Sequence, residues 1–150
     1  MQNIFEQQGA KKLVERINAL SENSKAEWGK MDVSQMLAHC NVAFDMAYTE
    51  KYPKAGGFKK FMLKLFVKNA VVGPKPYPKN GRTAPEFVIE GSRNFQDEKT
   101  KIIDYINKTN NLGTAHFEGK ENINFGALSS SEWNTMFSKH LDHHLKQFGA

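Results

Sequence analysis

Two histidines near the end of the chain have the spacing of a metal-binding pair. His140 and His144 lie four residues apart, which on a helix places both imidazoles on one face. They share an apolar stripe, roughly 80° wide, with Trp133, Phe137 and Phe148. A buried imidazole has a donor and an acceptor to satisfy, and a metal ion takes one nitrogen of each ring. The pair therefore predicts a metal site, with hydrogen-bonded core histidines as the alternative.

A third ligand is expected from a facing helix, because helical bundles build metal sites in this way. His39 is the first candidate, although it lies at the edge of the apolar face of its helix, so its place depends on helix rotation. His116, in a predicted loop, competes with it. His143 lies at the edge of the apolar stripe and is expected to support the ligands or to face solvent. Cys40 lies about 100° around the helix from His39 and is interpreted as a small core residue.

Four long amphipathic helices are predicted to position these histidines. Apolar residues recur at helical spacing over residues 3–21, 32–50, 95–110 and 129–148. The second and fourth of these helices have strong start signals, because each opens on a capping box. The two boxes are Asp32 with Gln35, and Ser129 with Glu132.

The segments between the long helices predict a shorter helix, a crossover and an irregular loop. Residues 58–70 combine apolar and basic residues and predict the short helix. Residues 71–94 begin with a proline-rich stretch, which excludes helix and central strand there and predicts a long crossover. Residues 114–127 are irregular, with a short strand as an option. The chain is therefore predicted to be all-α: a single domain over 1–150, an antiparallel four-helix bundle with a long crossover and a short extra helix.

Composition and charge exclude several classes of protein. The chain has 150 residues and one cysteine, so an internal disulfide cannot form. The N-terminus lacks a basic region followed by an apolar run, and no stretch reaches the ~18 apolar residues of a membrane span. Cytoplasmic localisation is therefore predicted. The net charge of +5 comes without a nucleic-acid reading motif, so no nucleic-acid partner is predicted.

Three segments of the chain resemble the DinB/YfiT-like superfamily of metalloenzymes, and more narrowly an uncharacterised subgroup of it. They are Trp28-Gly29-Lys30-Met31, Met36-Leu37-Ala38-His39-Cys40 and the C-terminal segment from Lys139 to Gly149. The C-terminal segment is the specific part, and the resemblance covers the whole chain in helix order. The chain departs from the subgroup in one place. Relatives often carry a His-Pro pair before the Phe-Gly that precedes the last helix, where Asn122-Ile123-Asn124 stands here.

The resemblance implies a divalent metal, zinc or nickel, held by His39 from the second helix and by His140 and His144 from the last. Three histidine ligands leave a tetrahedral metal one open position, as in catalytic zinc sites. The resemblance also implies a reaction on a small-molecule substrate. This reaction is either metal-assisted nucleophilic transfer, including transfer of a low-molecular-weight thiol, or hydrolysis. Relatives are often dimers, which implies a homodimer. No general base and no thiol-binding residue is assigned.

The short helix over 58–70 supports a competing interpretation. Its apolar residues, with lysines beside them, would suit a non-catalytic bundle that binds a lipid surface or an anionic ligand. The apolar arc is broad, however, so the favoured interpretation is a helix packed over the mouth of the bundle with its lysines in water. A membrane partner is therefore not expected.

Overall fold

The structure, a computed structural model, describes all residues from Met1 to Ala150 and is mostly helical. The helices are α1 (Gln7–Asn18), α2 (Val33–Tyr48), α3 (Gly57–Phe66), α4 (Lys68–Val72), α5 (Phe95–Phe117) and α6 (Ser130–Gln147). A 3-10 turn covers Pro85–Phe87, and β1 (Glu121–Asn122) pairs antiparallel with β2 (Gly126–Ala127). The expectation of a largely all-α fold is confirmed. None of the helices has the length and apolar character needed to cross a bilayer.

The two helices that carry the histidine motifs begin at the predicted capping boxes. The Asp32 carboxylate accepts the Gln35 backbone N–H at 2.8 Å, and the Gln35 side chain accepts the Asp32 N–H at 3.1 Å. Ser129 and Glu132 exchange the equivalent bonds before α6, at 3.2 and 3.0 Å. A cap of this kind contributes about 1 kcal/mol. Each box therefore sets where its helix begins, and with it the number of turns between the cap and the histidines.

One apolar core of 22 buried residues joins α1, α2, α5 and α6. At its centre Phe44 of α2 stacks on Phe137 of α6, with ring centroids 4.4 Å apart. Full burial of a side chain of this size stabilises the fold by about 1.5–3 kcal/mol. His39 lies five residues before Phe44 and His140 three residues after Phe137. The contact between α2 and α6 therefore brings the two histidine motifs to the same place.

Several element boundaries differ from the sequence prediction. α1 covers Gln7–Asn18 rather than 3–21. α5 extends beyond the predicted end at 110 and reaches Phe117, with one non-helical residue at Gly113. Gly113 has φ 69° and ψ 178°, a backbone conformation that is essentially restricted to glycine, so it interrupts the helix without ending it. Residues 114–117 are therefore helical, while the optional short strand in 114–127 is present as β1 and β2.

The apolar-basic segment 58–70 forms two helices rather than one. α3 ends at Phe66 and α4 begins at Lys68. No residue of α3 is buried, and Leu63 is its only member packed against the core. The rest of its apolar side chains face solvent. The expectation that this helix packs its apolar face over the other helices is therefore wrong.

A buried lysine fastens the crossover between α4 and α5 onto α6. Lys139 is 5% exposed, and its ammonium donates to the carbonyls of Ala70, Gly73 and Lys75 at 2.8, 2.6 and 3.2 Å. A buried charge is costly unless it is hydrogen-bonded, and here each of the three ammonium hydrogens has an acceptor. Because Lys139 precedes His140, this anchor holds the start of the crossover beside the histidines.

Candidate metal centre

The structure brings His39, His140 and His144 together where α2 meets α6. The ring centroids form a nearly equilateral triangle with sides of 4.5, 4.9 and 4.9 Å. One nitrogen from each ring lies within 4.8 Å of the others, and Nε2 of His39 is 2.9 Å from Nε2 of His140. The three side chains are only 5, 9 and 8% exposed, in that order. The group could therefore hold a metal ion.

Burial keeps all three imidazoles neutral. Desolvation lowers the pKa of His39, and it lowers the pKa of His144 to about 3. The pKa of His140 falls well below its ordinary value, first through burial and then through the neighbouring histidines, which disfavour a further positive charge. A neutral imidazole has a lone pair on one ring nitrogen, and this is the form that binds transition metals.

Hydrogen bonds to the outer nitrogens of His39 and His144 decide which nitrogen faces the centre. Nδ1 of His39 donates to the backbone carbonyl of Phe87 at 2.8 Å, and Nδ1 of His144 donates to Oε1 of Gln147 at 2.7 Å. Because both acceptors lack a proton, each Nδ1 carries the hydrogen and each Nε2 keeps its lone pair. Metal-binding histidines almost always have such a partner on the other nitrogen. Two of the three rings therefore present a lone pair to the centre.

The turn at Trp28-Gly29 holds Gln147 in the orientation that His144 needs. Nε2 of Gln147 donates to the Trp28 carbonyl at 2.6 Å, so Oε1 of the same amide points to His144. The backbone carbonyl of Gln147 also accepts the N–H of Glu27 at 2.8 Å. Gly29 has φ +86°, and a Cβ there would lie 2.6 Å from Nε2 of Gln147. The left-handed conformation therefore favours glycine, and a Cβ there would push the Gln147 amide aside.

Two aromatic side chains of the crossover cover the histidines. The Phe87 ring contacts His39 and His140 with centroids 5.4 and 5.7 Å apart, and the Tyr77 ring lies 6.3 Å from His140. The sequence predicts neither Phe87 nor Gln147 as part of the site. Gln147 had a detectable signal, because it lies three residues after His144 on the same helix. Phe87 had none, because its contribution to the site is the backbone carbonyl at the end of a 3-10 turn.

The other two histidines remain outside the cluster. His143 is half-buried, and its ring contacts Trp28 and Tyr77 with centroids 5.9 and 5.7 Å apart. It lies beside the centre, 4.9 Å from the His144 ring. His116 is exposed in the last turn of α5 rather than in a loop. The structure therefore does not support His116 as the third ligand.

Cys40 points away from the centre, although it follows His39. It is 1% exposed, and its Sγ lies 3.8 Å from the sulfur of Met36. Burial raises the pKa of the thiol, which disfavours the thiolate that binds metals or attacks substrates. The interpretation of Cys40 as a small core residue is confirmed.

A family model described as "Protein of unknown function (DUF1569)" matches residues 4–150. The match includes all six helices and the three clustered histidines. No curated protein and no solved structure matches the chain. Since the family description states no activity, the chemistry of the site is the basis for a function.

Proposed function

The chain belongs to the DUF1569 family, and from its histidine centre we propose that it is a divalent-metal-dependent enzyme. The proposed reaction is nucleophilic transfer, including transfer of a low-molecular-weight thiol, or hydrolysis on a small molecule. The observation that carries the proposal is a set of three buried, neutral imidazoles with nitrogens within 4.8 Å of one another.

Hydrogen-bonded core histidines are the alternative to a metal, and they would leave one nitrogen of His144 unused. The 2.9 Å contact between His39 and His140 would serve such a pair. It leaves Nε2 of His144 without a hydrogen-bond partner in the protein, while Nδ1 of the same ring is held by Gln147. Asn41 Oδ1 is the only fully buried side-chain atom without a partner, so Nε2 of His144 is accessible to a ligand from outside the protein. A metal ion would engage all three rings at once.

His39, His140 and His144 are the proposed ligands, and zinc and nickel are the metals that the neutral imidazoles suit. The three histidines would hold the metal, which would supply a water or a thiol activated as a nucleophile. The Phe87 carbonyl and Gln147 hold their histidines in the required orientation. The Phe87 ring shields the same two histidines that it contacts from water.

The helical arrangement supports a proposed relation to the DinB/YfiT-like superfamily. We propose that the antiparallel four-helix bundle of that superfamily is formed by α1, α2, α5 and α6. The chain between α2 and α5 contains α3, α4 and the crossover. The contacts of α2 with α5 and α6, and of α1 with the same two helices, support this arrangement. In that superfamily the second helix supplies one histidine and the last helix two, as His39, His140 and His144 would here.

A non-catalytic binding bundle is the second candidate function. The solvent-exposed apolar side chains of α3 favour it, because a binding module needs such a surface. In that case the three histidines would be structural, and metal content separates the two candidates.

Elemental analysis of the purified, tag-free protein tests the metal site. We expect near-stoichiometric zinc or nickel in the wild type and none in the His140→Ala/His144→Ala variant, which loses two of the three ligands. His116→Ala is the matched control and should keep its metal, because His116 is exposed and outside the cluster. Wild-type protein that is metal-free and takes up no metal on reconstitution would refute the site.

Activity is tested on the metal-loaded protein with a low-molecular-weight thiol and a chromogenic electrophile, and with chromogenic esters. Turnover should disappear in His39→Ala and on addition of a chelator, and should return when zinc or nickel is restored. Turnover that is indifferent to metal would contradict the proposed chemistry.

A further inference from the structure

α3 turns its apolar face away from the rest of the protein. Five large apolar side chains of this ten-residue helix are exposed by between 37 and 81%: Phe58, Phe61, Met62, Leu65 and Phe66. At about 100° per residue they cover an arc of about 140°. Scattered exposed apolar residues are ordinary, but a contiguous group marks an interaction surface. We call these five residues the apolar face of α3.

The outward orientation of this face follows from how α3 is held. Lys60 and Leu63 lie on the other side of the helix; Lys60 pairs with Glu121 at 3.1 Å and Leu63 packs against the core. Lys59, at the edge of the apolar face, pairs with Glu86 at 3.3 Å. The helix is thus attached through a polar side and one leucine, and its phenylalanines are left for something outside the chain.

The chain around the apolar face is strongly basic. Nine of the 21 basic residues and none of the 16 acidic residues lie between Lys51 and Pro85, and five of these nine form no ion pair with an acidic residue. Lys64, on α3 itself, is exposed and forms no ion pair with an acidic residue. A second copy docked through the same face would bring two basic segments together, which is unfavourable. The surface therefore fits a partner that combines negative charge with an apolar layer.

We propose that the apolar face of α3 docks the protein onto the surface of an anionic lipid bilayer. Phenylalanine and leucine on one face of a helix enter the boundary between headgroups and acyl chains, while neighbouring lysines meet the anionic headgroups. A nucleic acid offers the charge but no apolar layer for Phe58 or Leu65. This inference does not depend on the metal centre.

Sedimentation with vesicles of equimolar phosphatidylcholine and phosphatidylserine at low salt tests the docking surface. The wild type should cosediment, and Phe61→Ser/Leu65→Ser should bind at least about tenfold more weakly, because two exposed apolar side chains no longer enter the bilayer. Lys64→Glu should weaken binding about tenfold, because a cation near the headgroups becomes an anion. Leu112→Ser is the matched control, since Leu112 is an exposed apolar residue of α5, and it should bind like the wild type.

Two results would overturn the proposal: wild-type protein that stays in the supernatant, and equal binding by the wild type and the double serine variant. A dimer that the double variant converts to monomers, without vesicle binding, would assign the face to a second copy instead. Helical content by circular dichroism and metal content should be unchanged in the variants, because the substituted side chains are exposed.

Discussion

In the histidine centre three polar rings lie inside the protein, whereas on α3 five large apolar side chains lie outside it. Both arrangements cost folding free energy, because the buried rings lose hydration and the exposed side chains keep apolar surface in water. A buried polar group and an exposed apolar patch are more informative about function than ordinary core packing. The histidine centre could hold a metal ion, and the partner that we propose for α3 is a bilayer surface.

The two regions also differ in how firmly the protein holds them. The centre is supported by the Phe87 carbonyl and by Gln147, which the Trp28-Gly29 turn holds in place. α3 is attached by ion pairs of exposed lysines, which contribute about 0–1 kcal/mol each, and by Leu63. The centre should therefore respond to substitutions outside its ligands. The apolar face of α3 should respond mainly to substitutions within it.

Removal of the metal should have the largest effect on stability, and this effect should depend on the histidine centre and not on α3. At free metal about a thousandfold above Kd, binding contributes about 4 kcal/mol, so chelation should lower Tm by about 10 °C. Differential scanning calorimetry with and without chelator measures this shift. The His140→Ala/His144→Ala variant should show no chelator-dependent shift. A wild-type Tm that responds neither to chelator nor to added zinc or nickel would contradict a metal in the centre.

The next largest effect is expected on metal affinity, when His144 loses its hydrogen-bond partner Gln147. Gln147→Leu should weaken metal binding about 10–100-fold, because His144 loses the acceptor that orients its ring. Gly29→Ala should act in the same direction, since the new Cβ would displace Gln147. Competition titration against a chromophoric chelator measures both. Gln96→Leu, at an exposed position on α5, is the matched control, and an unchanged affinity in Gln147→Leu would show that the bond has no role in binding.

Acidification should destabilise the metal-free protein through the same rings. The folded-state pKa of His144 is about 3, below the unfolded value of about 6.5, so between these values the unfolded chain binds a proton that the folded protein excludes. Stability is therefore full above pH 6.5 and falls by about 1.4 kcal/mol per unit below it, for this residue alone. Urea unfolding at several pH values measures the slope. The His140→Ala/His144→Ala variant should show a shallower slope, and identical slopes would argue against neutral buried rings.

Substitutions on the apolar face of α3 should have the smallest effect on the fold. Phe61→Ser/Leu65→Ser should change the free energy of unfolding by less than about 0.5 kcal/mol, because both side chains are 60% exposed. Phe137→Ala, in the core, should cost about 3–5 kcal/mol in the same urea titration. If the serine variant lost as much unfolding free energy as Phe137→Ala, the face would pack within the protein and would not be a docking surface.

The sequence by itself determined the features that depend on residues within a few positions of one another. Both capping boxes form as their spacing predicts, and Cys40 is the small core residue that its helical phase indicates. The i, i+4 pair of His140 and His144 faces the interior, because the stripe around it is apolar. These properties follow from the geometry of a single helix, so no tertiary information was needed.

Only the tertiary structure decided which distant groups meet. His39 lies at the edge of its apolar face, and the packing of α2 against α6 places it in the centre. Phe87 and the Trp28-Gly29 turn reach the centre through loops, whose paths no periodicity encodes. For α3 the same apolar arc is compatible with either orientation, and in the structure the arc faces outward while Lys59 and Lys60 pair with Glu86 and Glu121. Periodicity describes which side chains share a face, and contacts with the rest of the chain decide what that face meets.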